Sequence, residues 1–436
     1  MGKTTVGYRI IWFLLLFIFF HRFLIQIGAP SAAKYLLDVL NIALFIVAIV
    51  ALKKGKKVNR TVCCVLLCSA GMLALGTIMA IVNIGTWKNT FTTYIFDCRQ
   101  ILRFPIFLFS CVVLLKPNDV GKLFDFFIRF HLVNIAYIIY QFFTLKVDAF
   151  WMRGDNLNGF FGTETGGNTF VNIMMVATTV IVINRYSTRV YGKSEAGIFI
   201  GLNLLIAVLL EIKIFFVEIA IIAVIYALPQ LKHLTRKKLA IMIGVIAVCI
   251  PIILVLVQML YLIYPWMRGT MSLSAMIKVT TSSGGYTGSG DINRLTCIND
   301  VIRMIYSGNV VKSLFGVGLG TANISDGIGT FYGRFSWTHY SWITLAYIYV
   351  ELGILGTILY IISMILPLFS RQRRPGGKFI ISVMCTIGLL MMIYNECLRT
   401  EAGYLIYFMI AAGIVWLGEV ENFGKRKAFK HYYTSI

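Results

Sequence analysis

Apolar segments long enough to cross a bilayer recur along almost the whole chain, and this recurrence limits the possible folds most. A helix needs about 20 mostly apolar residues to cross roughly 30 Å of hydrocarbon. Such segments fall at 8–27, 35–52, 61–84, 98–115, 123–144, 168–184, 197–210, 214–230, 239–263, 340–368, 379–396 and 402–418. We therefore expect an all-α polytopic membrane protein with about twelve transmembrane helices. The hydrophobic share of 58% and the mean hydropathy of +0.82 exclude an ordinary soluble domain.

The positive charge is clustered between the apolar segments. The net charge is +22, and many of the basic residues fall in short segments that would all face one side of the membrane, namely Lys53, Lys54, Lys56, Lys57 and Arg60, then Lys232, Arg236, Lys237 and Lys238, then Arg371, Arg373, Arg374 and Lys378. This distribution is typical of cytoplasmic loops and favours a lipid bilayer, not nucleic acid, as the partner of the charge. With twelve spans, both termini are expected in the cytoplasm. The first apolar segment is expected to be retained as a helix, because no signal-peptide cleavage site is convincing.

Residues 1–436 are expected to form one integral membrane domain with a large extracytoplasmic loop at 265–338. In this loop Asp291 is expected to cap a short helix. The apolar stripe of that helix comprises Ile292, Leu295, Ile298, Ile302 and Ile305. A second, shorter outer loop follows Lys146. The outer face contains no Asp-Asp or Asp-x-Asp pair, which favours a mechanism without a metal.

Arg294 and His339 are the strongest catalytic candidates. Arg294 is expected in the first turn of the short helix, where the helix dipole disfavours a cation unless an anion such as phosphate binds there. The alternative is an arginine that reaches lipid headgroups. His339 is the one histidine expected on the outer side, and its ordinary pKa suits a general base. The alternative is a surface histidine at the start of a helix.

Further cations are candidate ligands for an anionic substrate. Arg99 and Arg103 share a helix face at the start of the fourth segment, and their repulsion indicates an anion or carboxylate between them, unless they anchor to headgroups. Trp151 and Arg153 precede a glycine-rich run, a combination that suits a sugar or phosphate site. Lys213 either binds substrate or forms an ion pair with Glu211 that holds a turn. Glu396 and Arg399, three residues apart, are expected to pair.

The segment Ser313-Leu314-Phe315-Gly316-Val317-Gly318-Leu319-Gly320, followed by His339 and by Glu351-Leu352-Gly353-Ile354-Leu355-Gly356, resembles the signature of the O-antigen polymerase and O-antigen ligase superfamily. Arg294, about twenty residues before the glycines, and the Arg153…Gly159…Gly162 loop fit the same pattern. The sharp motifs cover about residues 290–356. The chain departs from the pattern at Tyr340, where family members often carry Asn or Ser after this histidine.

The resemblance implies a polysaccharide repeat-unit polymerase in the bacterial plasma membrane. Its substrate would be an oligosaccharide linked to undecaprenyl pyrophosphate, and it would need no cofactor. A hydroxyl of a second lipid-linked repeat would displace the pyrophosphate, held by Arg and Lys side chains. A flippase and a chain-length regulator would be partners. Two alternatives stay open: a ligase that moves finished glycan to another acceptor, and a lipid-oligosaccharide flippase or other carrier.

Overall fold

The structure, a computed structural model, describes residues 6–56, 59–87, 91–145, 153–163, 167–231, 254–265, 287–323, 329–370 and 375–416, together with residues 268, 281 and 285. These residues form helices joined by turns, and the described part of the chain contains no β-strand. The expectation of an all-α protein is therefore confirmed.

The long helices follow one another in simple order. They are α1 (Val6–Gln26), α2 (Leu36–Lys53), α3 (Arg60–Val82), α4 (Phe91–Leu114), α5 (Pro117–Thr144), α6 (Asn168–Ser187), α7 (Lys193–Leu209), α8 (Ile214–Leu231), α9 (Leu254–Ile263), α10 (Thr344–Ile365), α11 (Pro375–Tyr394) and α12 (Gly403–Val415). Local signals set several of the boundaries. The side chain of Asn59 caps α3 by accepting from Thr61 N, and Pro117 starts α5 at a position where its missing N–H costs nothing.

Among the described residues, seven helices are long and apolar enough to cross a membrane: α1, α2, α3, α5, α6, α10 and α11. The helices α8, α9 and α12 are apolar but shorter. Helix α4 carries the charged residues Asp97, Arg99 and Arg103, which lower its hydropathy. The chain is thus a helical protein of membrane type. Much of the expected 239–263 segment lies outside the described residues.

The bundle is built around α6 and α12. In α6, 83% of the apolar window is buried inside the protein, whereas the corresponding share in α2 and α3 is 22%. Every residue of α12 from Gly403 to Gly413 is buried. Helix α4 packs between α2, α3 and α12, and α10 packs against α3 and α11. Apolar side chains on α2 and α3 that face outward, such as Leu67 and Ile78, are exposed and available to lipid.

Helix α10 is interrupted at Gly353, whose φ of 60° and ψ of −164° are not helical. We call the end of the bundle where α4 and α10 begin and α11 ends the site end. The described part of 265–338 contains five short helical segments, and they are Cys297–Asp300, a π-helical turn Val301–Ile305, Val310–Phe315, Phe331–Phe335 and a 3₁₀ turn Ser336–Thr338.

The expected short helix begins later than the sequence indicated. Residues 294–296 form a turn, and the helix starts at Cys297 without a side-chain cap from Thr296. Asp291 does not cap it, because its carboxylate accepts from Thr287 N and contacts His339. Ile292 and Ile305 are buried as expected, but Leu295 is 61% exposed.

Candidate functional site

Arg294 and His339 line the same pocket at the site end of the bundle. The other lining residues are Asp291, Ile292, Trp342 and Ile343. Arg294 and His339 are 45 positions apart, and the backbone bond from Ile292 N to Thr338 O, 3.0 Å long, joins their two segments. The pair that the sequence singled out for catalysis is therefore brought together in space.

His339 has a backbone and a ring that are both fixed. Its φ of 52° and ψ of 25° are left-handed, and it joins two short 3₁₀ turns at Ser336–Thr338 and Tyr340–Trp342. The imidazole stacks on Trp342 with ring centroids 4.0 Å apart. About 30% of the His339 side chain is exposed, so a ligand can reach a ring whose orientation is already set.

Asp291 is the functional candidate that the sequence analysis missed. Its side chain is fully buried, and Oδ2 lies 3.2 Å from Nδ1 of His339. Thr287 N donates to both carboxylate oxygens of Asp291 and holds them in place. A carboxylate at Nδ1 favours the tautomer with its proton on that nitrogen, which leaves Nε2 as the basic atom. The spacing of 48 residues gave no local signal for this contact.

Arg294 lies in the turn before Cys297, so the expected conflict with a helix dipole does not arise. Its guanidinium lies over the ring of Tyr394, 4.3 Å from the centroid, in a cation–π contact with the last residue of α11. Lys213 is near enough for the two charges to interact. Burial lowers the pKa of Lys213, Glu211 opposes this shift, and Arg294 lowers the pKa further. Two neighbouring cations at the site end favour an anionic ligand.

Two acidic residues, Asp155 and Glu211, also interact electrostatically with Lys213. Asp155 accepts from Asn168 Nδ2 at 2.7 Å, and burial raises its pKa although Asn168 and Lys213 oppose the shift. Burial, and then the charge of Asp155, raise the pKa of Glu211 to about 7, while Lys213 opposes them. A Cβ on Gly154 would lie 2.7 Å from Cγ of Glu211, so a larger residue at this position would displace the Glu211 side chain. The 153–156 segment and the turn before α8 therefore meet at the site end.

Trp151 lies outside the described residues, and so does the side chain of Arg153. The backbone of Arg153 starts the short helix Arg153–Asn156. The glycine-rich run that follows is held by the bundle, since Phe160 N donates to Asn134 Oδ1 at 2.8 Å and Gly159 N to Gln141 Oε1 at 2.7 Å. This run packs against α5, and it does not form an exposed surface of aromatic rings on which a sugar could stack.

Arg99 and Arg103 each have a carboxylate partner within the chain. Nε of Arg99 lies 2.8 Å from Oδ2 of Asp38 on α2, and Nη1 of Arg103 lies 3.6 Å from Oε1 of Glu401. Burial raises the pKa of Glu401, but Arg103, His21 and then Arg22 outweigh it and hold the pKa below its usual value. The sequence indicated an anion or a carboxylate between the arginines. In the structure, the two arginines are neutralised separately, by the carboxylates of Asp38 and Glu401.

Arg399 is not paired with Glu396 through their side chains as the spacing suggested. Cys397–Arg399 is a 3₁₀ turn, and it directs the guanidinium toward Gln100 Oε1 at 3.1 Å and the backbone oxygen of Ser341 at 2.7 Å. The guanidinium also covers the ring of Tyr347, 3.2 Å from its centroid. This turn joins α4 to the segment that follows His339.

The glycines at 316, 318 and 320 allow close backbone packing and are not part of the pocket lining. All three have φ between 78° and 96°. A Cβ on Gly318 would lie 2.3 Å from Ala80 N, and one on Gly320 would lie 2.6 Å from Cα of Tyr94. Gly318 N donates to the backbone oxygen of Glu351 at 2.9 Å. The glycine segment therefore packs against α3, α4 and the interruption of α10.

A second cluster of buried polar groups lies under this segment. Gly320 N donates to Asp97 Oδ2 at 2.8 Å and to Glu351 Oε1 at 3.1 Å. The hydroxyl of Tyr347 donates to Asp97 Oδ1 at 2.8 Å. Asp97 and Glu351 are each 1% exposed, so the N–H of Gly320 bridges two buried acids from helices far apart in sequence.

No protein-family model, curated protein or solved structure matches this chain. The site is therefore interpreted from its own geometry. In the part of the chain that the structure describes, no three His, Cys, Asp or Glu side chains converge as metal ligands would.

Proposed function

We propose that the chain is a polysaccharide repeat-unit polymerase of the O-antigen polymerase and ligase type. The observation that carries the proposal is that His339, with Asp291 at its Nδ1, and Arg294 line one pocket. A base that accepts a proton and a cation that receives an anion are the two groups that glycosyl transfer from a lipid pyrophosphate needs.

In the proposed topology, about twelve helices cross the bacterial plasma membrane. Both termini lie in the cytoplasm, and the 265–338 loop lies outside. The site end of the bundle then faces the outer leaflet. The polar groups gathered there support this orientation, since the basic segments around Lys53 and Lys378 fall at the opposite ends of their helices.

The reaction is a displacement at the anomeric carbon of the glycan donor. The hydroxyl oxygen of a lipid-linked acceptor bonds to that carbon as Nε2 of His339 takes the hydroxyl proton. The bond from the anomeric carbon to the pyrophosphate oxygen breaks, and its electron pair leaves with the pyrophosphate. Asp291 stabilises the imidazolium that forms. A single displacement of this kind inverts the anomeric centre.

Arg294 and Lys213 stabilise the charge that develops on the leaving pyrophosphate. Each charge-assisted contact contributes about 1.5–3 kcal/mol, so two of them account for several powers of ten in rate if they strengthen in the transition state. Arg153 and Trp151 are proposed to bind the part of the substrate that carries the sugar. Arg99 and Arg103 already form ion pairs with Asp38 and Glu401, and their contact with substrate stays a prediction.

The proposal is tested by the length of the glycan made by an Arg294→Ala variant. We expect single-repeat products at a normal level of membrane-inserted protein. Arg303→Ala is the matched control, because Arg303 belongs to the same segment, is 63% exposed and pairs with Asp300 at 3.3 Å, so polymer should persist. Wild-type chain lengths in the Arg294 variant would exclude the proposed role.

A ligase of the same superfamily is an alternative that uses the same two groups with a different acceptor. The neighbouring genes separate them: glycosyltransferases and a separate flippase favour the polymerase, and a lipopolysaccharide-core cluster favours the ligase. A purified-component assay with two lipid-linked repeats gives the direct answer, since only a polymerase joins them.

One specific observation supports a carrier of lipid-linked oligosaccharides as a second alternative. Helix α10 is interrupted at Gly353, beside the buried Glu351 and Asp97, and interrupted helices with buried acids are typical of ion-coupled carriers. The polymerase is preferred because a carrier has no need of a base beside an arginine. Transport of a labelled lipid oligosaccharide in vesicles, unaffected by His339→Ala, would favour the carrier.

A further inference from the structure

Glu218 of α8 is a fully buried carboxyl group inside the helix bundle. Its exposed fraction is 0%, and Oε1 accepts a 3.0 Å hydrogen bond from Nδ2 of Asn172 on α6, which is itself 2% exposed. Within the described residues, no Lys, Arg or His forms an ion pair with Glu218. A carboxyl in this position is not used by the proposed transfer reaction.

Among the described residues, the groups around Glu218 include no compensating positive charge. Helices α6, α7 and α11 pack against α8, and Nδ2 of Asn172 lies 4.0 Å from the sulfur of Met391 on α11. The titratable neighbour that interacts electrostatically with Glu218 is the buried thiol of Cys397, in the turn after α11. An ionised carboxylate placed among these groups would be strongly disfavoured, because burial without a cation penalises the charge.

Two polar atoms of this pair lack partners, and they are complementary. Oε2 of Glu218 and Oδ1 of Asn172 are both buried, and no donor from the described part of the chain reaches either of them. Buried polar atoms are normally satisfied, so two orphan acceptors on neighbouring groups indicate a missing hydrogen. A proton on Oε2 turns that atom into a donor and provides one for Oδ1 of Asn172.

We propose that Glu218 and Asn172 form a proton-binding site, in which a neutral carboxylic acid and a carboxamide are joined by two hydrogen bonds. Nδ2–H of the amide donates to Oε1, and Oε2–H of the acid donates to Oδ1. The bound proton therefore connects α6 to α8. When it is lost, a carboxylate faces an amide oxygen in a buried position, and the two helices repel each other there.

The position of this pair gives it a structural consequence. Asn172 lies one helical turn after Asn168, which binds Asp155, and Glu218 lies one turn after the start of α8, which follows Lys213. The proton-binding site thus lies one turn inside the bundle from the residues that frame the candidate site. This inference does not depend on the proposed function, because it follows from burial and hydrogen bonding alone.

Infrared difference spectra of the whole protein in detergent or lipid test the protonation state directly. Wild type minus Glu218→Gln at about pH 7 should contain the carbonyl stretch of one protonated carboxylic acid. Glu195→Gln is the control, since Glu195 is an exposed residue whose Oε2 accepts from Gly192 N at 2.7 Å, and it should remove only an ionised-carboxylate band. A Glu218 difference spectrum with an ionised-carboxylate band and no acid band would overturn the proposal.

The pH dependence of unfolding provides a second, independent test. The folded state favours protonated Glu218 and the unfolded state does not, so the wild type loses stability as the pH rises. In Glu218→Gln the amide donor is present at every pH, so the variant does not lose the stability that this hydrogen bond contributes. We expect the melting temperature of the variant to rise relative to wild type from about pH 6 to about pH 9. A difference that stays constant over that range would contradict a bound proton.

Discussion

Nδ1 of His339 lies 3.2 Å from Oδ2 of Asp291, and the carboxylate is fully buried while the imidazole is partly open to the pocket. This contact holds the orientation of the His339 imidazole. It favours the tautomer with the proton on Nδ1, because the buried carboxylate is an acceptor for that nitrogen. This arrangement supports the proposed role of His339 as a base at Nε2.

Asp291→Asn should reduce polymer formation without unfolding the protein. The amide keeps the shape of Asp291 but neither fixes the tautomer of His339 nor stabilises the imidazolium, so we expect the rate to fall by roughly 10²–10⁴, with little change in KM. The measurement is the initial rate of repeat-unit joining over a range of pH. His339→Ala should reduce the rate at least as much, and the double variant should add little. Independent, additive losses would show that Asp291 does not act through His339.

Gly318→Ala should prevent stable folding, although the residue does not line the pocket. The backbone has φ of +96°, and the added Cβ would lie 2.3 Å from the backbone nitrogen of Ala80 on α3, which cannot move aside. Gly288→Ala is the matched control, because Gly288 has φ of +82° with nothing within 4 Å of the added Cβ. That change should cost only about 1–2 kcal/mol. The readout is the yield of monodisperse protein and its melting temperature; equal behaviour of the two variants would contradict the close packing.

The helices could be predicted from the sequence because lipid demands long apolar segments, and the expected 8–27 and 168–184 segments overlap α1 and α6 closely. The proximity of Arg294 and His339 could be anticipated from the motif pattern. Asp291 could not be assigned, because an aspartate before an apolar periodic run looks like a helix cap. Its true partner lies 48 residues away, and only the packing of the segments reveals it.

Spacing rules also failed where the helix they assume is absent. Glu396 and Arg399 are three residues apart, but the chain turns at Cys397–Arg399, and Arg399 contacts Gln100 and Tyr347 instead. Asp97 and Glu351 belong to helices far apart in sequence, and the backbone N–H of Gly320 joins them. Contacts of this kind depend on how α4, α10 and the glycine segment pack, which no local pattern records.

Glu211→Gln should change how stability depends on pH. The pKa of Glu211 is raised from 4.5 to about 7 by burial and by Asp155, so its neutral form is favoured in the folded protein. Glu211 therefore contributes its full stabilisation of the folded wild type below about pH 4.5, and this stabilisation is lost as the pH rises through about 7. The melting temperature of the glutamine variant should rise relative to wild type over this interval. A parallel pH dependence of the two proteins would show that Glu211 is ionised as in water.

Stability and activity should separate the arginines that support the fold from the one that meets substrate. Arg103 is 4% exposed and lies next to Glu401, whose other ion pairs within the described residues are longer, 3.9 Å to Arg22 and 4.0 Å to His21. Its removal leaves the Glu401 carboxylate, whose side chain is 14% exposed, poorly compensated, so Arg103→Ala should destabilise the protein by about 3 kcal/mol.

Arg294, at the pocket, should behave in the opposite way. Arg294→Ala removes a guanidinium from a partly exposed position over Tyr394, so we expect a change in stability within about 1 kcal/mol and a loss of polymer. Melting temperatures and glycan lengths measured on the same preparations decide the matter. If Arg103→Ala stayed stable and lost activity while Arg294→Ala did the reverse, the pyrophosphate would bind beside α4, with Glu401 displaced from Arg103.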